Sequence, residues 1–336
     1  MLPTIEPGIK LAAQMSPEPS EDDLKFVKQM GIDYVVLWTD ATKSSYDYYA
    51  SRKRLFENAG LKIYGFGNRD VHNQDAIVLN LPGRDAKVEQ YKQHLRDLGR
   101  AGIPYTTYAH MANGIWSTQR EETRGGASAR AFDLAKADKG HWSGVYYTTP
   151  LSHGRRYTQE EIWDNFTRFI QEVAPVAEDA GVKIGIHPDD PPQPELAGVP
   201  RCIFSSYEGY ARALEIADSP NVGICFCVGC WLEGGPLMGK GVVESIQDFG
   251  RANKIFKVHF RNVSAPLPHF VETFVDDGYM DMYKVMKALR DINFDGVVIP
   301  DHIPVMVNDP RLGTAYSFGY MKALLQRANE EAAAGR

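Results

Sequence analysis

Short β-rich runs alternate with charged helical segments along the whole chain, and this alternation restricts the fold more than any other feature. Strict alternation of strand and helix predicts a parallel sheet that is covered by helices. Eight such units in 336 residues match a (β/α)8 TIM barrel with insertions. The predicted strands cover residues 8–13, 34–39, 62–67, 105–110, 183–188, 222–228, 255–261 and 297–301.

A doubly wound open sheet is the alternative arrangement of the same elements. It is disfavoured because the first predicted strand lies in GIKLAAQMSPEPS, residues 8–20, which lacks the G-x-G-x-x-G spacing of a phosphate-binding loop. We therefore predict a single barrel domain over residues 1–336.

Residues 111–158, between the fourth strand and its helix, form a long connection rich in Gly, Ser, Thr, Arg and Trp. Connections of this length in compact domains are usually functional. We interpret the segment as an insertion that serves as a lid, or as an arm in the homo-oligomer that we expect. A solvated surface excursion is the alternative interpretation.

The charge balance argues against a nucleic-acid-binding protein. The chain has 43 acidic and 37 basic residues, a formal charge of −6, and no segment concentrates lysine and arginine. No apolar run approaches the roughly 18 residues of a membrane helix. The start MLPTIEPGIK also lacks the basic-then-apolar layout of a signal peptide. We therefore expect a cytoplasmic protein with no membrane partner.

In a (β/α)8 barrel the chemistry lies where the strands end, at the carboxyl-terminal face. The last four predicted strands each carry one possible metal ligand near that end: His187, Cys227, His259 and Asp301. One such histidine or cysteine alone is more often a packed core residue. Four on adjacent strands at one level predict a divalent transition-metal site with open positions for substrate.

Three cysteines lie within six residues, in the sequence C-x-C-x-x-C. A structural zinc site would need a fourth ligand nearby, and residues 231–235 are expected to supply none. Strand periodicity puts Cys225 and Cys227 on one face of the strand. We interpret Cys227 as the ligand, Cys225 as a filler of the barrel interior and Cys230 as a loop residue of unassigned role, with a redox pair as the alternative.

The same periodicity places Lys257 on the face of His259, one layer deeper, and turns Phe256 towards the helices. A buried lysine needs an ion-pair partner or a lowered pKa, so Lys257 is either paired structurally or part of the chemistry.

Arg261 is expected on the site-facing side, where its guanidinium could clamp a carboxylate, with a surface salt bridge as the alternative.

With these segments in view, the sequence resembles the mannonate dehydratases, which are metal-dependent sugar-acid dehydratases with a xylose-isomerase-like TIM barrel. The likeness is carried by GIHPDDPP at 185–192, CFCVG at 225–229, VHFRNV at 258–263, DGYMDMYKVMKAL at 277–289 and PDH at 300–302. A weaker likeness runs through VHNQDAIVLNLPGRD at 71–85, residues 89–111 and the region of Trp116.

The resemblance implies that the four strand-end residues hold a manganese ion or another divalent metal. It also implies that His302, beside Asp301, is a catalytic acid or base. Within the matching segments, Arg261, Asn262, Trp116 and His72 become candidate substrate-binding residues.

The chain also departs from the family pattern around the substrate. Where the family has Tyr-Asn-Phe-Met-Pro after the fourth strand, this chain has Tyr-Ala-His-Met-Ala at residues 108–112, so Ala109 replaces an asparagine and His110 is new. The family histidine before the Leu-Asp-Gly turn is absent, whereas Glu272 is retained. Tyr316 lies near the place of a family Gly-Tyr pair. Tyr316 and His110 are therefore candidates for the second acid or base.

These features predict a dehydratase that converts mannonate or a related aldonate to a 2-keto-3-deoxy sugar acid. A metal-dependent ketose isomerase or epimerase is the main alternative, since the same metal and an enediol would move a proton between neighbouring carbons. A non-catalytic sugar-binding barrel is disfavoured, because it would not need four metal ligands.

Overall fold

Eight parallel strands form the central sheet of the computed structural model, which describes residues 6–335. Their spatial order is β3-β2-β1-β8-β7-β6-β5-β4 once they are numbered along the chain. The strands are β1 (Lys10–Met15), β2 (Tyr34–Thr39), β3 (Lys62–Asn68), β4 (Tyr105–Tyr108), β5 (Lys183–Ile186), β6 (Val222–Cys227), β7 (Ile255–Phe260) and β8 (Val297–Pro300).

The two end strands of this order, β3 and β4, lie side by side, so the sheet curls into a barrel. The rings of Tyr64 on β3 and Tyr105 on β4 are 5.3 Å apart. These rings belong to a buried cluster that also contains Phe256 and Ile299. The expectation that Phe256 faces the helices is therefore wrong, because a register shift opposite Ile224 and Cys225 places an extra residue in β7.

Eight long helices accompany the strands, as the alternating pattern predicts. Two of them begin at a capping box: Ser20 caps α1 and Thr158 caps α4, in each case with an acidic residue three positions later. Among residues 6–335, none of the helices combines the length and apolar composition needed to cross a bilayer. The helices are α1 (Glu21–Gln29), α2 (Tyr46–Asn58), α3 (Arg84–Ala101), α4 (Gln159–Ala180), α5 (Tyr207–Ala217), α6 (Val242–Arg251), α7 (Met282–Asp291) and α8 (Pro310–Ala333).

Short elements lie in the connections at the carboxyl-terminal face. The brief helices are Arg69–His72, Asp75–Val78 and Val228–Gly234, with 3-10 turns at Ala41–Lys43, Arg124–Gly126 and Gly235–Met238. Outside the insertion, short strands occur at Glu195–Leu196, Val199–Pro200, Asn262–Val263 and His269–Thr273.

The insertion at residues 111–158 is folded rather than irregular. Its strand Ala131–Asp133 pairs antiparallel with His269–Thr273, which follows β7, and the rings of Phe132 and Phe270 stack 5.9 Å apart. The segment is thereby fastened to the connection between β7 and α7. Its strands are Ile115–Trp116, Glu121–Thr123, Ala127–Ala129, Ala131–Asp133, Lys139–Trp142 and Val145–Thr148.

The packing of α3 against the end of α4 generates a test of the fold. A β-carbon added at Gly99 would lie well inside van der Waals contact with the carbonyl oxygen of Ala180, which is backbone. Gly99→Ala should therefore destabilise the protein by about 1–3 kcal/mol, the usual effect of overpacking. The measurement is the urea-unfolding midpoint.

Gly319, exposed on α8, is the matched control because nothing lies within 4 Å of an added β-carbon there. Gly319→Ala should stabilise the protein by up to about 1 kcal/mol through helix propensity. A Gly99→Ala variant that unfolds at or above the wild-type midpoint would contradict the close approach of the two helices.

Candidate functional site

The four strand-end residues lie together at the carboxyl-terminal face of the barrel. Cys227 is the last residue of β6 and pairs in register with His259 of β7. His259 in turn pairs with Ile299 of β8, so Asp301, two residues further on, projects from the same face. His187 directly follows β5, and its ring centroid lies 5.0 Å from that of His259.

Donor atoms of these side chains come within reach of one ion. The Sγ of Cys227 lies 4.0 Å from Oδ2 of Asp301, and Nδ1 of His259 lies 3.5 Å from the same oxygen. One donor atom each from Cys227, His259 and Asp301 lies within 4.8 Å of the other two, and the same holds for His187, Cys227 and Cys230. Spacings of this size are compatible with ligand distances of about 2.0–2.3 Å to a shared ion.

The polar atoms of this group fit a divalent cation. Among residues 6–335, the buried Nδ1 of His259 has no hydrogen-bond partner, although a carboxylate oxygen of Asp301 lies 3.5 Å from it. Burial raises the pKa of Asp301, but the neighbouring His302 and His259 outweigh burial and hold that pKa well below its usual range. An ionised carboxylate, a thiol and two imidazoles form a donor set suited to a divalent metal.

His302 lies beside this group on a strained piece of backbone. Its φ angle is 45°, a left-handed conformation that residues other than glycine adopt mainly at special positions. Its Nδ1 lies within hydrogen-bond distance of Oε1 of Glu272 (2.7 Å), and its Nε2 lies 3.9 Å from Oδ1 of Asp301. Burial lowers the pKa of His302, but Asp301 and Glu272 together raise it to about 9.

Glu272 and Arg261 engage one ring nitrogen of His302. The nearby His302 and Arg261 overcome the effect of burial and lower the pKa of Glu272, which keeps it a carboxylate. Both Oε1 of Glu272 and Nη1 of Arg261 contact Nδ1 of His302, so Nδ1 belongs to the buried charge network and Nε2 is the ring nitrogen on the side of Asp301.

Arg261 is the centre of a buried charge network next to these residues. Its side chain is fully buried, and it donates to Oε1 of Glu272 (2.5 Å) and Oε1 of Glu233 (2.8 Å). Arg130, from the insertion, donates to the same Glu272 oxygen (2.9 Å) and to Asp190 (2.5 Å). Contact of Arg261 with a substrate carboxylate stays a prediction, and these pairings favour a structural role for it.

Three members of this network were missed from the sequence. The expectation that residues 231–235 offer no ligand-type side chain near the cysteines is wrong, because Glu233 lies there with donor atoms of Cys230 and Asp190 within 4.8 Å. A lone acidic residue in the otherwise apolar and glycine-rich helix VGCWLEG could have signalled a buried partner. Asp190 is the second aspartate of GIHPDDPP, and this motif only weakly indicates a place in the charge network. No local sequence pattern indicates that Arg130 belongs to the network.

The three other candidate substrate-binding residues are buried. The Nδ2 of Asn262 donates to the carbonyl oxygen of Met280 (2.8 Å), and Nε1 of Trp116 donates to that of Asn113 (3.0 Å), so both side chains support neighbouring loops. Their contact with substrate stays a prediction.

His72 is better placed for a role at the site. Its Nδ1 bonds to the carbonyl oxygen of Thr107 (2.9 Å), and burial lowers its pKa to about 3, so the ring is neutral. Its ring packs 4.8 Å from Trp38 and 5.0 Å from Trp142 of the insertion. Both tryptophans line an open cleft of about 620 Å³, together with Arg69 and other residues.

His110 and Tyr316, the candidates for a second acid or base, lie in different surroundings. Nδ1 of His110 bonds to the hydroxyl of Tyr108 (2.8 Å), and its ring packs on Phe166 of α4 with burial lowering its pKa to about 3. This position between strand and helices disfavours proton transfer to substrate. Tyr316 is partly exposed on α8 and donates to Asp276 (2.7 Å). These contacts do not test whether His110 or Tyr316 acts as the second acid or base.

Lys257 and Cys225 lie below the ligand group inside the barrel. Both are fully buried, and Nζ of Lys257 has no hydrogen-bond partner among the residues that the structure describes. Burial lowers the pKa of Lys257. Of the two alternatives for this lysine, residues 6–335 provide no hydrogen-bonded partner for the structural ion pair, and a part in the chemistry stays a prediction. The Sγ of Cys225 lies 3.4 Å from Nε2 of His259.

Comparison with known proteins identifies related sequences and structures. The family model for D-mannonate dehydratase (UxuA) matches residues 20–328. A mannonate dehydratase of Streptococcus suis (strain 05ZYH33) is 34% identical over 270 residues, which cover 74% of this chain and 72% of that protein. The crystal structure of mannonate dehydratase from Streptococcus suis serotype2 superposes with a TM-score of 0.83 at 28% identity, covering 96% of each chain.

A more distant structure shows the fold alone. A xylose isomerase domain protein from Planctomyces limnophilus gives a TM-score of 0.63 at 11% identity, covering 97% of this chain and 99% of that one. The predicted xylose-isomerase-like TIM barrel is therefore confirmed.

The buried network allows a test of stability. Replacing Arg261 leaves Glu233 and Glu272 without their buried partner, so Arg261→Met should destabilise the protein by about 3–5 kcal/mol. The matched control is Arg124→Met, which removes an exposed pair with Asp276 and should cost less than about 1 kcal/mol. Urea-unfolding midpoints measure both effects. Equal losses in the two variants would refute the central position of Arg261.

Proposed function

The chain belongs to the mannonate dehydratase family and is a sugar-acid dehydratase, a carbon-oxygen lyase, and on that basis we propose that it acts on mannonate or a related aldonate with a bound divalent metal. The proposed product is a 2-keto-3-deoxy sugar acid, and Mn²⁺ is the proposed ion. The observation that supports the metal is the convergence of donor atoms from Cys227, His259 and Asp301 within 4.8 Å of one another.

In this proposal His187, Cys227, His259 and Asp301 hold the ion. A divalent metal in such a site stabilises the negative charge that develops next to the substrate carboxylate during enolisation. The ligands come from four adjacent strands or the residues just after them, so the barrel fixes their positions before substrate arrives.

His302 is the proposed acid or base of the reaction. Dehydration removes a proton from C2 and the hydroxyl from C3, and a positioned acid or base contributes about 10²–10⁴-fold to such steps. Because Glu272 and Arg261 occupy Nδ1 of His302, its Nε2 is the proposed atom that takes up or releases the transferred proton. Tyr316 stays the predicted partner in this exchange.

The cleft beside His72 is the proposed approach for the sugar chain. Trp38 and Trp142 supply apolar faces there, and Arg69 supplies a cation on the exposed side. Trp142 belongs to the insertion, and its Nε1 donates to the carbonyl oxygen of Arg69 (2.9 Å). The insertion therefore forms part of the wall, which supports its proposed role as a lid.

Three further properties stay predictions: the homo-oligomer, the cytoplasmic location and the choice of manganese over other divalent ions.

A panel of substrates tests the function. Mannonate and other aldonates, incubated with the metal-free protein and then with added Mn²⁺, should give a 2-keto-3-deoxy product only when metal is present. Product identity is read by NMR. If all the acids remain unchanged while a ketose is isomerised or epimerised, the isomerase alternative replaces the dehydratase.

Substitution of His302 separates proton transfer from metal binding. His302→Asn should keep the metal content of the wild type. Its turnover rate should fall by more than about 100-fold, whereas loss of a residue that only orients a metal ligand typically costs about 10–100-fold. His259→Asn is the matched comparison and should lose metal. Elemental analysis and steady-state rates give both values. A loss of less than tenfold would reduce His302 to a supporting role.

A further inference from the structure

Donor side chains at the site form three overlapping groups rather than one. The first contains Cys227, His259 and Asp301, and the second contains His187, Cys227 and Cys230. A third contains Asp190, Cys230 and Glu233. Within each group, one donor atom per residue lies within 4.8 Å of the others. The two cysteines thus connect the proposed metal site to the buried charge network.

The carboxylates of the third group do not need a metal ion to balance their charge. Arg261 pairs with Glu233 at 2.8 Å, and Arg130 pairs with Asp190 at 2.5 Å. Two guanidinium groups therefore already balance the charge of these carboxylates.

The second group contains Cys230, to which neither the sequence nor the proposed reaction gives a role. Its side chain is fully buried, and its backbone N–H donates to the sulfur of Cys227 (3.4 Å). The Nη2 of Arg261 donates to both sulfurs, at 3.5 Å for Cys227 and 3.3 Å for Cys230. One guanidinium thus lies against two neighbouring sulfurs and can balance part of their negative charge. Without a cation, burial and the contact with Cys227 raise the pKa of the Cys230 thiol well above its usual range, so its thiolate form requires a bound metal.

We propose that Cys230 is a fifth protein ligand, so that the ion is held by two sulfurs rather than one. The inference rests on the metal site proposed above and extends it. Its consequence is metal preference: a second thiolate strengthens binding of soft or borderline ions such as Zn²⁺ and Co²⁺ more than binding of the harder Mn²⁺. This chain should therefore retain zinc or cobalt against competition by manganese.

Cobalt is the probe for counting sulfur ligands, because Co²⁺–thiolate bonds give a charge-transfer absorption in the near ultraviolet. The metal-free protein is titrated with Co²⁺, as wild type and as Cys230→Ser. The expected absorption per bound ion in Cys230→Ser is about half that of the wild type, since one of two thiolates is removed. Zn²⁺ affinity, measured by competition with a chelator, should fall more than Mn²⁺ affinity.

Cys202→Ser is the matched control, because this cysteine is only partly buried and contacts the backbone of Gln159 instead. It should leave the absorption unchanged. Unchanged absorption in Cys230→Ser as well would overturn the proposal.

X-ray absorption of the cobalt-loaded wild type keeps the proposal testable even if Cys230→Ser does not fold. Two sulfurs in the ligand shell support the proposal, and one sulfur overturns it while leaving the four-ligand site intact. Failure of the wild type to bind any cobalt would instead contradict the metal site itself.

Discussion

The register of the last strands determines where the chemistry can occur. Cys227 lies opposite His259, and His259 lies opposite Ile299, so Asp301 comes to the same face two residues later. A shift of one residue between any of these strands would turn a ligand towards the helices. The surrounding helices and the barrel closure at Tyr64 and Tyr105 hold this register in place.

The ligand group is supported by a second layer of charge. Arg261 is fully buried, and Glu233 and Glu272 bind its guanidinium from two sides. Such a network is unfavourable unless every charge has a partner, because burial removes the ions from water. Arg130 supplies a further partner from the insertion, and Glu272 in turn orients His302. The insertion, the charge network and His302, the proposed acid or base, are thus parts of one connected arrangement.

In this arrangement the proposed metal ligands and the proposed substrate cleft come from different parts of the chain. The residues of the cleft can therefore change while the ligands stay the same. The ligands project from strands or from residues just after them, whereas the cleft is walled by Trp142 of the insertion and by residues after β3. Ala109 lies in the connection that follows β4, outside the strands that carry the proposed ligands. A change at such a position can alter which hydroxyl groups are recognised without moving the ligands, and a single gained or lost polar partner shifts substrate preference strongly.

The sequence by itself determined the alternation of strands and helices and the four ligand types at successive strand ends, because both are local patterns with a fixed period. The start of α8 is less evident from the sequence, since the helix begins at Pro310, after Asp309 caps it. The glycines Gly313 and Gly319 weaken the helical pattern there. Tertiary structure alone decided the partners of Arg261, the part taken by Glu233 and Arg130, and the placement of His110 among aromatic rings. These are contacts between residues far apart in the chain, and no local pattern specifies which buried charge finds which partner.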